Sequence, residues 1–235
     1  MCALFARRRD GNGHSISDGE EGPGFSLQLE VDGVIQSVPL QLNADGTGFE
    51  FPSNVDPGFS FPGGDVIQLT EVNGVFDPVL NLAAGVTDAG APSTFGFSLS
   101  SGLAPFIFGP APYTTNFIAT FTDGASNGGS IEASGAQIFG VMDAEINGSP
   151  IAGLGVAPAV LSTPLDVYGP FAGGGVFACP GGGCTSFGIA FGFDGSGGGD
   201  TYALNGRFEL VPEPSTALLM GLGLIGLAGA RQRSR

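Results

Sequence analysis

The chain has 235 residues, 42% of them hydrophobic, so it can bury a core and is not a wholly disordered protein. Its 43 glycines and 17 prolines follow no Gly-X-Y period, which excludes collagen and indicates turns between many short strands. The net charge is −15 without any lysine, and residues 10–211 hold 21 of the 22 acidic residues against one base, Arg207, which argues against nucleic-acid binding.

Residues 1–24 show neither strand nor helix periodicity, and we expect them to form a disordered N-terminal segment. Their apolar run is shorter than the hydrophobic region of a secretory signal peptide, and the arginines follow this run instead of preceding it. The sequence therefore predicts no signal peptide within this segment.

The strand pattern begins at Phe25. Residues 25–31 alternate apolar and polar side chains, which predicts a strand with one buried face, and residues 34–42 form a second strand-like run. Asp32-Gly33 lies between these runs and favours a type I′ hairpin turn. The same interpretation predicts hairpin turns at three further dipeptides: Asn73-Gly74, Asn147-Gly148 and Asn205-Gly206.

Further strands are predicted at 94–99, 113–122, 130–146, 186–193 and 201–210. In the segment 186–193, Phe187, Ile189, Phe191 and Phe193 share one face, and only small residues lie between them. No window shows helical periodicity together with helix caps. We therefore predict an all-β fold for residues 25–211, an antiparallel β-sandwich or jelly roll with a phenylalanine-rich core.

Few catalytic residue types are available. The single histidine, His14, lies in the N-terminal segment, which argues against Ser-His-Asp and Cys-His catalysis, and the absence of lysine removes Schiff-base chemistry. A pair of carboxylates could still cleave a glycosidic bond, so a secreted carboxylate-dependent glycan-active enzyme remains an alternative.

Two acidic, glycine-containing loops are weak candidates for calcium binding. One contains Asn43 and Asp45, and the other contains Asp194 and Asp200. Hard cations prefer such oxygen ligands, but neither loop completes the twelve-residue calcium motif. Because turn chemistry explains both loops, we predict no cofactor and keep a calcium-stabilised adhesion module as a second alternative.

Cys179 and Cys184 enclose the sequence Pro-Gly-Gly-Gly. Such a short, flexible loop allows a disulfide in an oxidising compartment, which makes this pair a disulfide candidate. A structural zinc site would need about four ligands, and the sequence offers no such set here.

The C-terminal segment 212–235 has three parts. Pro212, Glu213 and Pro214 precede an uncharged apolar run at 217–230, and Arg231, Arg233 and Arg235 follow it. As a helix, this run would be about 21 Å long, which is short for a hydrocarbon core of about 30 Å and suits a transient membrane segment. Positive flanks stay on the cytoplasmic side, which places the acidic body outside. The apolar segment comprises Ala217, Leu218, Leu219, Leu222, Leu224, Ile225, Leu227 and Ala230 among its residues.

In this order and position, the three parts resemble the PEP-CTERM sorting signal of Gram-negative bacteria. The resemblance implies recognition of the Pro-Glu-Pro motif by an exosortase, a membrane processing enzyme that removes the tail. It also implies transient anchoring in the inner membrane and delivery to the cell envelope or extracellular matrix, often in producers of exopolysaccharide. Members of the family carry an N-terminal signal peptide, so we expect either a start codon upstream of Met1 or a gene that has lost its original start.

The resemblance covers the tail only, and the family shares this tail across unrelated bodies. It therefore implies a destination and not an activity. We expect a non-enzymatic surface or matrix protein that binds polysaccharide or other envelope material.

Overall fold

The computed structural model describes residues 24–76, 78–126, 128–134, 139–160 and 165–211, without the side chains of residues 104–105. This part of the chain contains sixteen β-strands and no helix, so the prediction of an all-β fold is confirmed. The predicted disordered segment, up to residue 23, and the predicted C-terminal helix lie outside the described residues. The strands are β1 (Phe25–Val31), β2 (Val34–Val38), β3 (Gln41–Leu42), β4 (Gly48–Glu50), β5 (Gly58–Ser60), β6 (Val66–Val75), β7 (Val79–Asp88), β8 (Thr94–Ile107), β9 (Pro110–Thr122), β10 (Ser130–Ala133), β11 (Met142–Ile146), β12 (Ser149–Leu154), β13 (Ala159–Val160), β14 (Leu165–Ala178), β15 (Cys184–Asp194) and β16 (Asp200–Leu210).

The strands form two antiparallel sheets. Sheet A has the order β12-β11-β15-β8-β1-β2, with β10 also paired to β15 and β13 paired to β10. Sheet B has the order β14-β9-β16-β7-β6-β4-β3, with β5 paired to β6. The connections β7–β8, β8–β9, β14–β15 and β15–β16 all pass from one sheet to the other, which holds the two sheets face to face.

Aromatic rings from the two sheets meet in the core. Phe191 of sheet A lies 5.6 Å, between ring centroids, from Phe117 of sheet B, and Phe193 lies 5.1 Å from Tyr202. Contacts of this kind stabilise a pair of rings by roughly 0.5–1.5 kcal/mol beyond their area burial. The predicted apolar face of β15 is confirmed, since its three phenylalanines and Ile189 are at most 1% exposed.

Two of the four predicted hairpin turns are confirmed. Asp32-Gly33 joins β1 to β2, and Asn147-Gly148 joins β11 to β12. All four residues have positive φ, between 49° and 81°, as a type I′ turn requires. The predictions at Asn73-Gly74 and Asn205-Gly206 are wrong, because these dipeptides lie within β6 and β16.

The two glycines that do not form turns lie beneath aromatic rings. A Cβ atom at Gly74 would be 2.5 Å from Cζ of Phe49, and one at Gly206 would be 2.5 Å from Cζ of Phe191. Each glycine therefore makes room for a ring of the core, and the glycine is needed here for close packing and not for a turn of the chain.

Two predicted strands are interrupted in the structure. The segment 34–42 breaks after Val38, where Pro39 cannot donate a ladder hydrogen bond and the chain passes from sheet A to sheet B. The segment 130–146 is divided into β10 and β11, which pair with different parts of β15. The strand predicted at 25–31 is confirmed with the same bounds, and the other four predicted strands are confirmed and extend beyond their predicted bounds.

The register defines two ends of the sandwich. One end, called the acidic end, contains the Asp32-Gly33 turn and the β7–β8 and β15–β16 loops. The turn lies beside the start of β8, because Asp32 donates its backbone N–H to the carbonyl of Thr94, and the two loops meet where Asp200 pairs with Asp88. At the other, called the tail end, the β8–β9 turn lies beside the β14–β15 loop, and the chain leaves β16 at Val211.

Candidate functional sites

The two candidate cysteines form a disulfide at the tail end. The Cα atoms of Cys179 and Cys184 are 5.2 Å apart, within the range of such bonds. The bond closes the loop between β14 of sheet B and β15 of sheet A. Within this loop, Gly183 donates its N–H to the carbonyl of Pro180 at 2.7 Å, and Cys179 donates its N–H to the carbonyl of Gly109. The disulfide therefore links the two sheets beside the β8–β9 turn.

The first calcium candidate is a self-contained turn between β3 and β4. Oδ1 of Asp45 accepts hydrogen bonds from the N–H and the hydroxyl of Thr47, at 2.9 and 2.6 Å. Oδ1 of Asn43 accepts a hydrogen bond from the N–H of Gly48 at 2.9 Å. The bonds from Thr47 lower the pKa of Asp45 below its ordinary value. These oxygens are thus engaged in stabilising the turn.

The two residues of the second calcium candidate, Asp194 and Asp200, lie at opposite ends of the β15–β16 loop. Oδ1 of Asp194 accepts a hydrogen bond from the hydroxyl of Thr94 at 2.7 Å. Asp200 is buried, and its two oxygens accept from the N–H of Gly124 and from the hydroxyl of Ser196. Each carboxylate has its own protein donors, and across the described residues no three histidine, cysteine, aspartate or glutamate side chains are placed to hold a metal ion.

Sequence reasoning missed a buried group of three carboxylates at the acidic end. Asp65, Asp88 and Asp200 are each at most 2% exposed. Backbone N–H groups of the surrounding loops bind all three: Ala89 donates to Asp65, Gly197 to Asp88 and Gly124 to Asp200. The carboxylates thereby fasten the loops that join the sheets.

The pKa of Asp88 is raised above its ordinary value. Burial is the main cause, because it removes water from the charged form, and the negative charges of Asp65 and Asp200 add to the effect. A glycine in the adjoining loop makes this arrangement possible, since a Cβ atom at Gly195 would be 2.3 Å from Oδ2 of Asp88.

The outer face of sheet B carries a shallow groove of about 350 Å³. Thr87, Thr201 and Thr122 stand side by side across one end of it, on the neighbouring strands β7, β16 and β9. In the next row, Gly85 and Ala203 form a low floor beside Thr120. Neighbouring strands are about 4.8 Å apart, so this row presents hydroxyls at a regular spacing.

The groove is uncharged, and its hydroxyls are free to bind a ligand. Among the described residues, the hydroxyls of Thr87, Thr120, Thr122 and Thr201 have no hydrogen-bond partner. Gln68 adds an exposed amide at the same groove. Because a threonine hydroxyl both donates and accepts, this surface suits a ligand rich in neutral polar groups.

A second shallow groove, of about 290 Å³, holds two glutamates. Glu50 lies on β4 and accepts a hydrogen bond from the side chain of Gln41 at 3.3 Å. Glu71 lies at the bulge of β6 and accepts one from Asn73 at 2.9 Å. Both carboxylates are exposed, so they face solvent across this groove.

The predicted processing motif, apolar segment and positive flank lie outside the described residues. Within the described ranges, no helix is long and apolar enough to cross a membrane. The last described residue, Val211, donates its N–H to the carbonyl of Pro112 at 2.8 Å. This hydrogen bond attaches the last described residue to β9 of sheet B.

The family described as the PEP-CTERM protein-sorting motif matches residues 210–234. No curated protein sequence matches the chain. The family match confirms the resemblance of the tail, and the signal indicates an exported, envelope-associated protein that an exosortase, a membrane enzyme, processes.

Proposed function

We propose that this chain is a non-enzymatic β-sandwich protein of the cell surface or extracellular matrix. The single observation that carries the proposal is the sorting motif at 210–234, which follows the last strand of the sandwich directly. After insertion through its tail into the inner membrane, the protein is processed at Pro212-Glu213-Pro214 and released to the outside. The disulfide of Cys179 and Cys184 supports this location, because such bonds persist in oxidising compartments.

Fractionation of the native host followed by mass spectrometry tests this proposal. We expect the mature protein in the envelope or the medium, ending near Pro214 and lacking the apolar run 217–230. Recovery of the full chain from the cytosol, with residues 215–235 retained, would overturn it. A host without its exosortase provides the control, in which the uncleaved chain should accumulate in the membrane fraction.

The groove on sheet B supports an association with neutral polysaccharide. Its free hydroxyls match those of a sugar chain, and the acidic body repels anionic polymers. Ala203 lies on the groove floor with its side chain exposed, so Ala203→Tyr should fill the groove. Asn205→Tyr is the matched control, because it adds the same ring on the same face of β16, outside the groove lining.

Affinity electrophoresis in gels that contain the host's neutral exopolysaccharide measures this binding. We expect the wild type and Asn205→Tyr to be retarded equally and Ala203→Tyr to migrate freely. Equal retardation of all three proteins would place the binding elsewhere and refute this role of the groove.

The groove with Glu50 and Glu71 supports a second candidate, a glycan-active enzyme that uses both carboxylates. Release of reducing ends from the host polysaccharide is the assay. If hydrolysis occurs here, Glu50→Gln and Glu71→Gln should each abolish it, whereas Asp45→Asn, in the nearby turn, should not. Absence of hydrolysis in the wild type would leave the non-enzymatic proposal standing.

A further inference from the structure

The sorting tail leaves the sandwich at one corner of the tail end. Val211 is bonded to Pro112 of β9, and Pro112 is paired on its other side with Val176 of β14. The β8–β9 turn lies at the same corner, because Ala178 pairs with Pro110 and Cys179 is bonded to Gly109. These three elements lie on one side of the exit point, and Pro78 lies on the other, since Leu210 donates its N–H to the carbonyl of Pro78.

Large apolar side chains are exposed around this exit. Phe106 is 53% exposed, Phe108 67%, Val176 66% and Val211 40%. Phe108 lies against the disulfide loop, since a Cβ atom at Gly183 would be 3.1 Å from its ring. A loop closed by a disulfide therefore supports an exposed phenylalanine, and the four side chains form an apolar corner.

The apolar corner is also uncharged, in a chain with a net charge of −15. The segments 99–122 and 167–193, which build it, contain no charged residue. Glu209, which precedes the exit on β16, forms a salt bridge with Arg207, in which Oε2 of the carboxylate lies 2.8 Å from a guanidinium nitrogen. Apolar residues are exposed at the acidic end as well, but there Ile35 pairs with Glu30 beside the turn that contains Asp32.

The sequence after Val211 limits how far the corner can lie from a membrane. Residues 212–216 separate Val211 from the apolar run 217–230, and five residues span at most about 18 Å when fully extended. The interfacial layer of a bilayer adds roughly 5–8 Å on each side of the hydrocarbon core. An inserted tail therefore holds the apolar corner close to the lipid headgroups.

We infer that the apolar corner of Phe106, Phe108, Val176 and Val211 rests on the lipid surface while the sorting tail is inserted, and so orients the body for processing. This inference rests on the proposed function, because it requires the tail to enter the membrane. Aromatic side chains favour the interfacial region, whereas carboxylates avoid it, so the sandwich stands with its acidic end away from the bilayer. The short link of residues 212–216 favours lipid over a second copy as the partner of this corner, because it keeps the membrane at a high effective concentration there.

The absence of tryptophan from the chain provides a direct test. Three full-length variants each carry one tryptophan: Phe108→Trp at the apolar corner, Ile35→Trp at the acidic end and Met220→Trp in the tail. Each is reconstituted into phosphatidylcholine vesicles, with and without phosphatidylcholine brominated in mid-chain, and fluorescence quenching is measured. We expect strong quenching for Met220→Trp, partial quenching with a blue-shifted emission for Phe108→Trp, and an unchanged signal for Ile35→Trp.

The outcomes separate this inference from the proposed function. If Met220→Trp is quenched and Phe108→Trp is not, the tail inserts but the corner stays in water, and the inference is wrong. Quenching of neither variant refutes membrane insertion and overturns both. If Ile35→Trp is quenched as strongly as Phe108→Trp, the body contacts lipid without a fixed orientation, and the inference is wrong. A blue shift of Phe108→Trp that depends on protein concentration and occurs without quenching would show that a second copy covers the corner, which also overturns the inference.

Discussion

Substitution of Gly206 by alanine tests the packing of the two sheets. An ideal Cβ atom at this position would lie 2.5 Å from Cζ of Phe191 and 2.9 Å from Sδ of Met142. Ordinary contacts between carbon atoms are about 3.5–4.0 Å, so the ring would have to withdraw by roughly 1 Å. Phe191 has no exposed surface, and its centroid lies 6.0 Å from that of Phe97 and 5.6 Å from that of Phe117, which leaves little room to withdraw.

Such overpacking typically costs about 1–3 kcal/mol. Removal of a glycine from a strand returns about 0.5–1 kcal/mol of backbone entropy, so we expect a net loss of roughly 1–2 kcal/mol. At about 2–4 °C per kcal/mol for a domain of this size, Tm should fall by roughly 2–8 °C in a thermal melt followed by circular dichroism.

Gly85→Ala is the matched control for this substitution. Gly85 also lies within a strand, but a Cβ atom there would meet only Gln68, with its Cβ at 3.8 Å and its carbonyl oxygen at 3.9 Å, both ordinary contacts. Its Tm should therefore be unchanged or higher by up to a few degrees, because only the entropy term remains. If Gly206→Ala is as stable as Gly85→Ala, the ring of Phe191 does not lie on Gly206, and our account of the Asn205-Gly206 dipeptide is wrong.

Three further predictions concern titration, the disulfide and calcium. Because the pKa of Asp88 is raised, the folded chain binds a proton at this carboxyl before the unfolded chain does as the pH falls, so the contribution of Asp88 to stability increases on acidification. Asp88→Asn should lose this contribution, and its Tm should therefore fall relative to that of the wild type as the pH is lowered. Parallel curves of Tm against pH would contradict the assignment. Reduction of the bond between Cys179 and Cys184, which are five residues apart, should lower the free energy of unfolding by about 2 kcal/mol, as the entropy of closing the loop predicts, and should lower Tm by roughly 4–8 °C. The Tm of the double variant Cys179→Ser, Cys184→Ser should not respond to reductant. Calcium should leave Tm unchanged, since the oxygens of Asp45 and Asn43 already have partners within their turn; a rise with calcium that a chelator reverses would favour the adhesion-module alternative.

Local patterns in the sequence predicted the strands well, and the nonlocal contacts account for the errors. The alternation of residues 186–193 correctly identified the inward face of β15, because the two faces of a strand alternate wherever it pairs. The dipeptide Asn-Gly is ambiguous, since its glycine can supply either a positive φ or space for a ring. At Gly148 the first applies and at Gly206 the second, and the choice depends on a phenylalanine of the other sheet.

The candidate sites were harder to predict for the same reason. Asp65, Asp88 and Asp200 are far apart in sequence and meet only because β7 pairs with both β6 and β16. Acids in glycine-rich loops are a visible signal, but the sequence favours turn chemistry for them, with calcium as a weak alternative, and does not predict their burial. The hydroxyl row of the sheet B groove depends on the register of three strands, and no single stretch of sequence reveals it.

Charge and covalent structure give independent arguments for the same orientation. The three arginines after the apolar run favour the cytoplasmic side, so the body before the run lies outside. The disulfide lies at the tail end, beside the exit of the chain, and requires an oxidising environment at that position. The buried group of Asp65, Asp88 and Asp200 lies at the opposite end. A body that rested on the membrane by its acidic end would have to move these carboxylates toward lipid and carry its tail around the sandwich. Both costs support our inference that the apolar corner faces the bilayer.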